Sequence, residues 1–186
     1  MLELAILGFL HEAPLHGYEL RRRIAALSGH VKPVAESTLY PAIKRLENAG
    51  LLRREPQPGA AAAPRHVLSL TDAGRAELYG RLAEPAANDI SDENRWFTVL
   101  AFLRHLADPA AQAAVLRRRL AFLEEPSSFF YDGDQALRAE ELDDPFRQGM
   151  LVIARATSAA ELSWLRETLA ALDAAARTGA PGARDS

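Results

Sequence analysis

Cysteine is absent from this 186-residue chain, which excludes disulfide bonds, thiolate metal sites and cysteine nucleophiles. Long apolar runs are missing too, because no stretch approaches the roughly 18 residues of a transmembrane helix. The apolar segment from Leu2 to Leu10 contains Glu3 and has no basic leader, so it does not resemble a targeting sequence. We therefore expect a cytoplasmic protein without a membrane partner.

Lysine is scarce, since only Lys32 and Lys44 accompany the arginines, and the net charge is -3. The charge is nevertheless divided along the chain. Residues 1–80 hold ten Lys and Arg against eight Asp and Glu, a net charge of +2, whereas residues 81–186 hold twelve against seventeen, a net charge of -5. This division favours a basic front half that meets a polyanion and an acidic rear half.

The run from residue 37 to residue 52, STLYPAIKRLENAGLL, is typical of a recognition helix. Leu39, Ile43 and Leu46 share one face and should be buried. The opposite face is hydroxylic, aromatic and cationic, and it comprises Ser37, Tyr40, Pro41, Lys44, Arg45 and Asn48. Such side chains suit phosphates and base edges.

Ser37 or Thr38 is the expected N-cap of this helix, which would keep Pro41 in the first turn, where a missing backbone donor costs little. Gly50 is the expected stop signal, since glycine readily adopts the left-handed conformation that ends helices.

The sequence predicts a two-stranded wing after this helix. Its first strand begins at Leu51, its tip is the proline- and alanine-rich PQPGAAAAP, and its second strand lies in PRHVLSLTDAG, residues 64–74. Arg53 and Arg54 precede the tip, and Arg65 and His66 follow it, as expected for a wing beside a DNA backbone. The alternative is a solvated loop with ordinary surface arginines.

We predict a mainly α fold: a winged helix-turn-helix with a two-stranded wing, plus an all-helical C-terminal dimerisation domain. The predicted domains are residues 1–83, residues 84–177 and a disordered tail at 178–186, with the junction at 84–91. Thr71, Asp108 and Asp144 are expected helix caps, the last two followed by proline. The sequence does not decide whether residues 126–144 are ordered.

The helix that begins at Pro145 should run to about Arg177 without interruption. Along it, apolar side chains recur at intervals of three and four, at Leu162, Leu165, Leu169 and Leu172. This spacing is typical of a coiled-coil seam, so we predict that these leucines form the dimer interface.

The sequence offers little for catalysis or metal binding. His11, Glu12 and His16 could be drawn as a metal cluster, but a surface turn explains them, and their spacing is not a zinc signature. Asp143 and Asp144 are better explained as helix-start caps than as acid–base groups. We therefore expect no metal, no cofactor and no enzymatic activity.

Two tryptophans suggest an effector site, because flat apolar rings can stack an aromatic small molecule. The candidate residues are Trp96, Phe97, Leu100 and Trp164. The alternative is core packing, since both tryptophans lie in strongly apolar helices. Phe129, Phe130 and Tyr131 could equally cover such a site.

The motifs LAILGFL, HGYEL at His16 to Leu20, STLYPAIKRLENAGLL and LTDAG together resemble the PadR family of transcriptional regulators over about the first 80 residues. The resemblance implies a winged helix-turn-helix, a helical dimerisation domain, and repression relieved by small molecules. It also implies DNA contacts from Tyr40, Lys44, Arg45 and Arg65, and it matches Tyr18 to the aromatic residue of the second helix. The wing departs from the family, because Val67 and Leu68 stand where an aromatic is common.

The predicted function is that of a homodimeric repressor bound to a roughly palindromic operator, whose half-sites lie about 34 to 36 Å apart or a multiple of that. An effector that favours another dimer spacing would release the DNA. The predicted DNA-binding residues are Tyr18, Lys32, Ser37, Thr38, Tyr40, Pro41, Lys44, Arg45, Arg65 and His66. The alternative is a protein-interaction module built on a winged helix.

Overall fold

A computed structural model of the chain describes residues 1–27, 35–57, 65–125 and 128–179. Lys32, most of the predicted wing tip and the end of the predicted tail, at 180–186, lie outside the described residues. The chain forms two compact units, Met1–Ala107 and Asp108–Ser186. The fold class is mainly α, as predicted, and the described residues contain two small antiparallel sheets, one of them in the C-terminal unit that the sequence predicts to be all-helical. No helix in the described ranges is both long and apolar enough to span a membrane.

The first unit is a winged helix extended by two further helices. In chain order its elements are α1 (Leu2–Glu12), β1 (Leu15–His16), α2 (Gly17–Leu27), α3 (Glu36–Asn48), β2 (Leu52–Gln57), β3 (Arg65–Leu70), α4 (Asp72–Ala83), α5 (Ala87–Ser91) and α6 (Glu93–Phe102).

The wing contains one strand more than the sequence indicates. β2 and β3 pair in an antiparallel register that sets Leu52 opposite Leu70, as a two-stranded wing requires. β1 then pairs with the other edge of β3, giving the order β1-β3-β2. β1 is only two residues long and follows a proline, so its sequence shows no alternation from which a strand could be predicted. Its strand conformation depends on the pairing with β3.

Helix α1 forms the centre of the first unit, and it packs against α2, α3, α4, α6 and β3. This position explains why Ile6 and Leu7 are wholly buried and why α1 is apolar on nearly every side. The predicted face of α3 is also buried, since Leu39, Ile43 and Leu46 are at most 2 % exposed.

The boundary between the units lies after Ala107, whereas the sequence places a domain junction at residues 84–91. That segment contains α5, and the following α6 packs against α1. The Phe9 and Phe102 rings meet edge to face with centroids 5.0 Å apart. Gly8 allows this approach, because a Cβ there would lie 2.5 Å from the Phe102 ring. Residues 84–107 therefore complete the core of the first unit.

The start of α3 differs from the prediction. The N-cap is Ala35, without a side-chain cap, and its carbonyl accepts the backbone N–H groups of Thr38 and Leu39, both at 3.0 Å. The prediction of Ser37 or Thr38 as N-cap is therefore wrong. Pro41 is the sixth residue of the helix, beyond the first turn, where it cannot donate to the Ser37 carbonyl.

The end of α3 agrees with the prediction. Gly50 has a φ of 71°, and the N–H groups of Gly50 and Leu51 donate to the carbonyls of Glu47 and Leu46 at 2.9 and 3.0 Å. This paired bonding is a Schellman motif, which satisfies carbonyls that a helix end otherwise leaves open.

Thr71 joins this turn to α4. Its hydroxyl accepts the Gly74 N–H at 3.0 Å as the predicted N-cap, and donates to the Gly50 carbonyl at 2.7 Å. Its backbone N–H donates to the Leu51 carbonyl at 3.1 Å. Gly74 must be glycine, because a Cβ there would lie 2.1 Å from the Leu51 oxygen.

The second unit is a helical hairpin with a small insertion. It contains α7 (Pro109–Glu124), β4 (Tyr131–Asp132), β5 (Gln135–Ala136) and α8 (Pro145–Gly179). Asp108 and Asp144 accept N–H groups at the starts of the two helices, at 2.9 and 2.8 Å, as predicted. Within the segment that the sequence left undecided, β4 and β5 form a hairpin that turns at Gly133, whose φ is 57°.

Helices α7 and α8 pack together through the leucines predicted to form the dimer seam. Leu165 and Leu169 are 0 % and 7 % exposed within the single chain, and Leu162 and Leu172 are half-buried. Beside them the buried Arg119 guanidinium holds the Glu161 carboxylate through two hydrogen bonds of 2.8 Å. These leucines are therefore buried within the single chain, because α8 packs against α7 on this side.

Replacing Thr71 with valine should lower the free energy of unfolding by about 1 to 2 kcal/mol, because the cap of α4 is lost while the shape is kept. Serine at the same position keeps the hydroxyl and should recover most of that stability. Urea unfolding of the two variants at equal protein concentration checks this. Equal stability of the valine and serine variants would show that the hydroxyl has no capping role.

Candidate nucleic-acid interface

A cleft of about 390 Å³ opens where the start of α2, the exposed side of α3 and the sheet meet. Its lining consists of His16, Gly17, Tyr18, Tyr40, Arg54, His66 and Leu68. Three of these, Tyr18, Tyr40 and His66, are predicted DNA-binding residues that the fold brings together from α2, α3 and β3. Among the described residues, the lining combines aromatic rings, imidazoles and a guanidinium, without a carboxylate.

Gly17 sets the position of Tyr40 in the cleft. A Cβ at Gly17 would lie 3.3 Å from Cε1 of the Tyr40 ring and 3.5 Å from its hydroxyl oxygen, so a side chain there would require the ring to shift by a few tenths of an ångström. The Tyr18 and Tyr40 side chains remain 62 % and 44 % exposed. Their hydroxyls can therefore donate to an acceptor entering from solvent. The HGYEL motif contains this glycine, although its spacing alone does not place it beside Tyr40.

His16 is a cleft residue that the sequence did not associate with DNA. Its Nδ1 lies 3.0 Å from the backbone carbonyl of His66, and its backbone N–H donates to Oε2 of Glu19 at 3.1 Å. β1 makes this contact possible, because it sets His16 opposite Val67 on β3. No local pattern could have indicated it.

The predicted outer face of α3 is exposed to solvent. Ser37, Thr38, Pro41 and Lys44 are all exposed, as the helical spacing predicts. Lys44 makes no ion pair with any residue of the described ranges. It can therefore meet an anion without first losing a partner.

Arg45 points elsewhere, toward the first turn of α1. Its Nε and Nη2 donate to Oε1 of Glu3 at 3.1 and 3.0 Å, and Glu3 also contacts Arg81 at 3.4 Å. The prediction treated Arg45 as part of the DNA face, but in this structure it links α3 to α1. Its side chain is 63 % exposed, so this pair is a weak one.

The described wing cations are also paired. Arg54 holds Glu47 of α3 through bonds of 2.7 and 3.1 Å, and Arg53 contacts Glu55 at 3.2 Å. The Arg54–Glu47 pair braces the wing against α3, whereas Arg53 and Glu55 both lie on β2. The backbone of Arg65 belongs to β3, whereas its side chain lies outside the described residues.

The histidines drawn together as a metal cluster are separated by the fold. His11 contacts Tyr79 at 2.8 Å and its ring lies tilted against that of His105 with centroids 4.4 Å apart, while His16 faces the wing. No group of three or more His, Asp or Glu in the described part of the chain is arranged to hold a metal ion. Burial, followed by the charges of His11 and Arg104, lowers the pKa of His105.

The candidate effector residues occupy different environments. Trp96 is wholly buried in the first unit, so the core-packing alternative describes it. Phe97 and Trp164 are 46 % and 41 % exposed, and Leu100 is half-buried. Of the three aromatics at 129–131, Phe130 packs against Ala139, Leu142 and Leu151, whereas Phe129 and Tyr131 are exposed. An effector role for these residues stays a prediction.

Comparison with known proteins finds a family match within the first unit. The transcriptional regulator PadR-like family matches residues 6–79. Those residues are a PadR-like domain. The PadR-like domain extends from α1 into α4 and includes the cleft and the sheet. The family resemblance stated from the sequence is therefore confirmed.

Among curated relatives, the negative transcriptional regulator PadR of Bacillus subtilis is 27% identical over 95 residues, which cover 50% of this chain and 52% of that protein. The chain thus matches about half the length of this relative. The crystal structure of smu.1704 from Streptococcus mutans UA159 is 29% identical over 48% of this chain and 80% of that one, with a TM-score of 0.41. A crystal structure of Bacillus subtilis PadR in complex with operator DNA is 23% identical over 92% and 98% of the two chains, with a TM-score of 0.43.

The lowered pKa of His105 has a consequence for stability. At a pH below the ordinary value of about 6.5, the unfolded chain binds a proton at this position that the folded chain resists. The free energy of unfolding should therefore fall as the pH decreases from 7.5 to 5.5. His105→Gln should show a smaller decrease in urea unfolding, with His66→Gln as the exposed control. An identical pH dependence in wild type and His105→Gln would contradict this account.

Proposed function

We propose that the chain is a DNA-binding transcriptional repressor. In this proposal α3 enters the major groove and the wing lies beside the sugar–phosphate backbone. The observation that carries it is the convergence of Tyr18, Tyr40, Arg54 and His66 on one cleft that continues onto the exposed face of α3. The family match supports the regulator role, and the word "negative" in the relative's name supports repression.

The chemistry of this surface suits a polyanion. Tyrosine hydroxyls, protonated imidazoles and a guanidinium are donors to phosphate oxygens, and the described lining residues include all three. Ser37, Thr38 and Lys44 extend the donors along α3. A protein-binding face at this place would more often be apolar, which is why we favour DNA over the protein-interaction alternative.

The paired arginines fit the same proposal. Exposed ion pairs such as Arg45–Glu3 and Arg54–Glu47 stabilise a protein by about 0 to 1 kcal/mol each. A DNA phosphate can therefore compete with the carboxylate for the guanidinium. Until DNA arrives, Glu47 holds Arg54 at the edge of the cleft, and Glu3 of α1 holds Arg45.

The dimer is proposed to form through a second stripe on α8 rather than through the leucines already packed against α7. Phe146, Met150, Ile153 and Trp164 are 86, 41, 69 and 41 % exposed. Together with the exposed Thr157 and Ala160 they follow steps of four and three residues along one face. This period is that of a helix pairing with another helix, and a second copy of the chain offers the same stripe.

A dimer built on α8 would set the distance between the two recognition helices. The half-sites would then lie about one or more helical turns of DNA apart. An effector that favours a dimer of different spacing would lower the affinity for DNA by shifting the population, with no covalent chemistry. Phe97 and Trp164 are the exposed aromatic candidates for contacting such an effector.

The proposal is tested by measuring the affinity of the purified full chain for its own upstream intergenic DNA and for random duplex across a salt series. We expect a preference for the upstream DNA and a steep loss of affinity with salt, because phosphate contacts release counterions. No preference over random duplex at low salt would reject the repressor proposal and favour the protein-interaction module.

Lys44→Ala should weaken binding to every duplex and reduce the slope of the salt dependence by about one phosphate contact. Arg75→Ala is the matched control, since it removes an exposed cation that lies on α4. The ion-pair partner of Arg75 is Asp72, on the same helix. The control should keep the wild-type slope. If both variants lose the same affinity, the effect comes from net charge and not from α3.

Ile153→Asp should dissociate the dimer, because it places a carboxylate in the apolar stripe of α8. Val152→Asp is the matched control, since Val152 is also exposed, at 56 %, but lies about 100° around the helix. Sedimentation of both variants at equal concentration measures the difference. Dissociation by Val152→Asp alone would place the interface on another face.

A further inference from the structure

The contact between His16 and the wing fixes where the protons of the His16 ring can be. A backbone carbonyl can only accept a hydrogen bond, so at 3.0 Å from the His66 carbonyl Nδ1 must carry a hydrogen. In a neutral imidazole the other nitrogen then has none. Neutral His16 therefore presents Nε2 as an acceptor.

A phosphate oxygen of DNA is also only an acceptor. His16 lines the cleft, and with Nδ1 bonded to the wing, Nε2 is its remaining nitrogen for contact with a ligand. Neutral His16 would set one lone pair against another, whereas doubly protonated His16 would donate a charge-assisted hydrogen bond. The contact with a DNA phosphate is therefore repulsive for the neutral ring and attractive for the doubly protonated ring.

We propose that the cleft binds a backbone phosphate of DNA through Nε2 of doubly protonated His16, so that DNA binding takes up one proton from solvent. The new N–H bond forms at Nε2, and the Nδ1–H bond to His66 is kept throughout. This inference rests on the proposed DNA-binding function and adds to it a dependence on pH. Affinity should increase as the pH decreases through the neutral range.

Few groups near His16 could produce the same pH dependence of DNA affinity. The reference pKa values of glutamate, tyrosine and arginine lie well outside pH 6 to 8. His66 holds His16 through its backbone carbonyl and not through its ring. The titratable and charged groups that face His16 are Tyr18 and Glu19 from α2, Tyr40 from α3, Arg54 from β2 and His66 from β3.

The test compares wild type, His16→Gln and His66→Gln for binding to the upstream duplex between pH 6 and 8 at constant salt. For wild type we expect the Kd to rise by up to about tenfold per pH unit, the limit for uptake of one proton. His16→Gln should be nearly independent of pH, because an amide donates at every pH in this range. His66→Gln removes a ring that lines the cleft, so its affinity should fall, but it keeps the backbone carbonyl that orients His16 and should therefore keep the wild-type slope.

Equal slopes in wild type and His16→Gln would overturn the inference, as would loss of the slope in His66→Gln alone. Failure of the proposed function looks different, because wild type would then show no preference for the duplex at any pH. Thermal unfolding at pH 6 and 8 checks that both variants are folded. The pH-dependent stability arising from His105 is common to all three proteins.

Imidazole nitrogen NMR of the wild-type chain provides a second test that needs no variant. In the DNA-free protein above pH 8, His16 should carry its hydrogen on Nδ1, the less common arrangement for a neutral histidine. In the DNA complex near pH 7 both nitrogens should be protonated. A hydrogen on Nε2 alone in the free protein, or a neutral ring in the complex, would reject the proposal.

Discussion

The fastening of the Gly50–Leu51 turn to Thr71 is the constraint on which the arrangement of the DNA-facing surface depends. The Leu51 carbonyl accepts the backbone N–H of Thr71, and the Thr71 hydroxyl reaches the Gly50 carbonyl while also capping α4. The end of α3, the start of β2, the end of β3 and the start of α4 therefore meet at one point. Gly74 provides the space in which they do so. With these ends joined, the wing cannot change its angle to α3 without breaking several hydrogen bonds.

The cleft follows from this geometry together with the short strand β1. β3 pairs on both edges, so Leu68 stands opposite Leu15 on one side and Arg54 on the other. The sheet thus brings the start of α2 and the wing together on the side toward which Tyr40 points. A donor-rich surface needs such a rigid support, because each donor must keep its position when the phosphate arrives. Gly17 completes the cleft by leaving room for the Tyr40 ring.

Helix α8 carries two apolar stripes with different uses. One contains Leu165 and Leu169 and is closed by α7, where the Arg119–Glu161 pair adds a buried polar contact. The other contains Phe146 and Ile153 and remains open in the single chain. A buried ion pair fixes the register of the hairpin, since sliding would separate charges that have left water. The open stripe is then held in a defined direction, as an interface requires.

The sequence by itself determined helices α3, α4, α7 and α8, the buried face of α3, the glycine that ends it, the caps at Thr71, Asp108 and Asp144, and the paired strands β2 and β3. These features depend on residues a few positions apart, whose spacing and backbone preferences act locally. Only the tertiary structure decided that α3 begins after Ala35, that Arg45 turns to Glu3, that α6 completes the first unit, and that His16 bonds to the wing. It also decided which stripe of α8 packs against α7. Each of these depends on groups far apart in the chain, and a sequence pattern states what a side chain can bind but not which partner the fold places beside it.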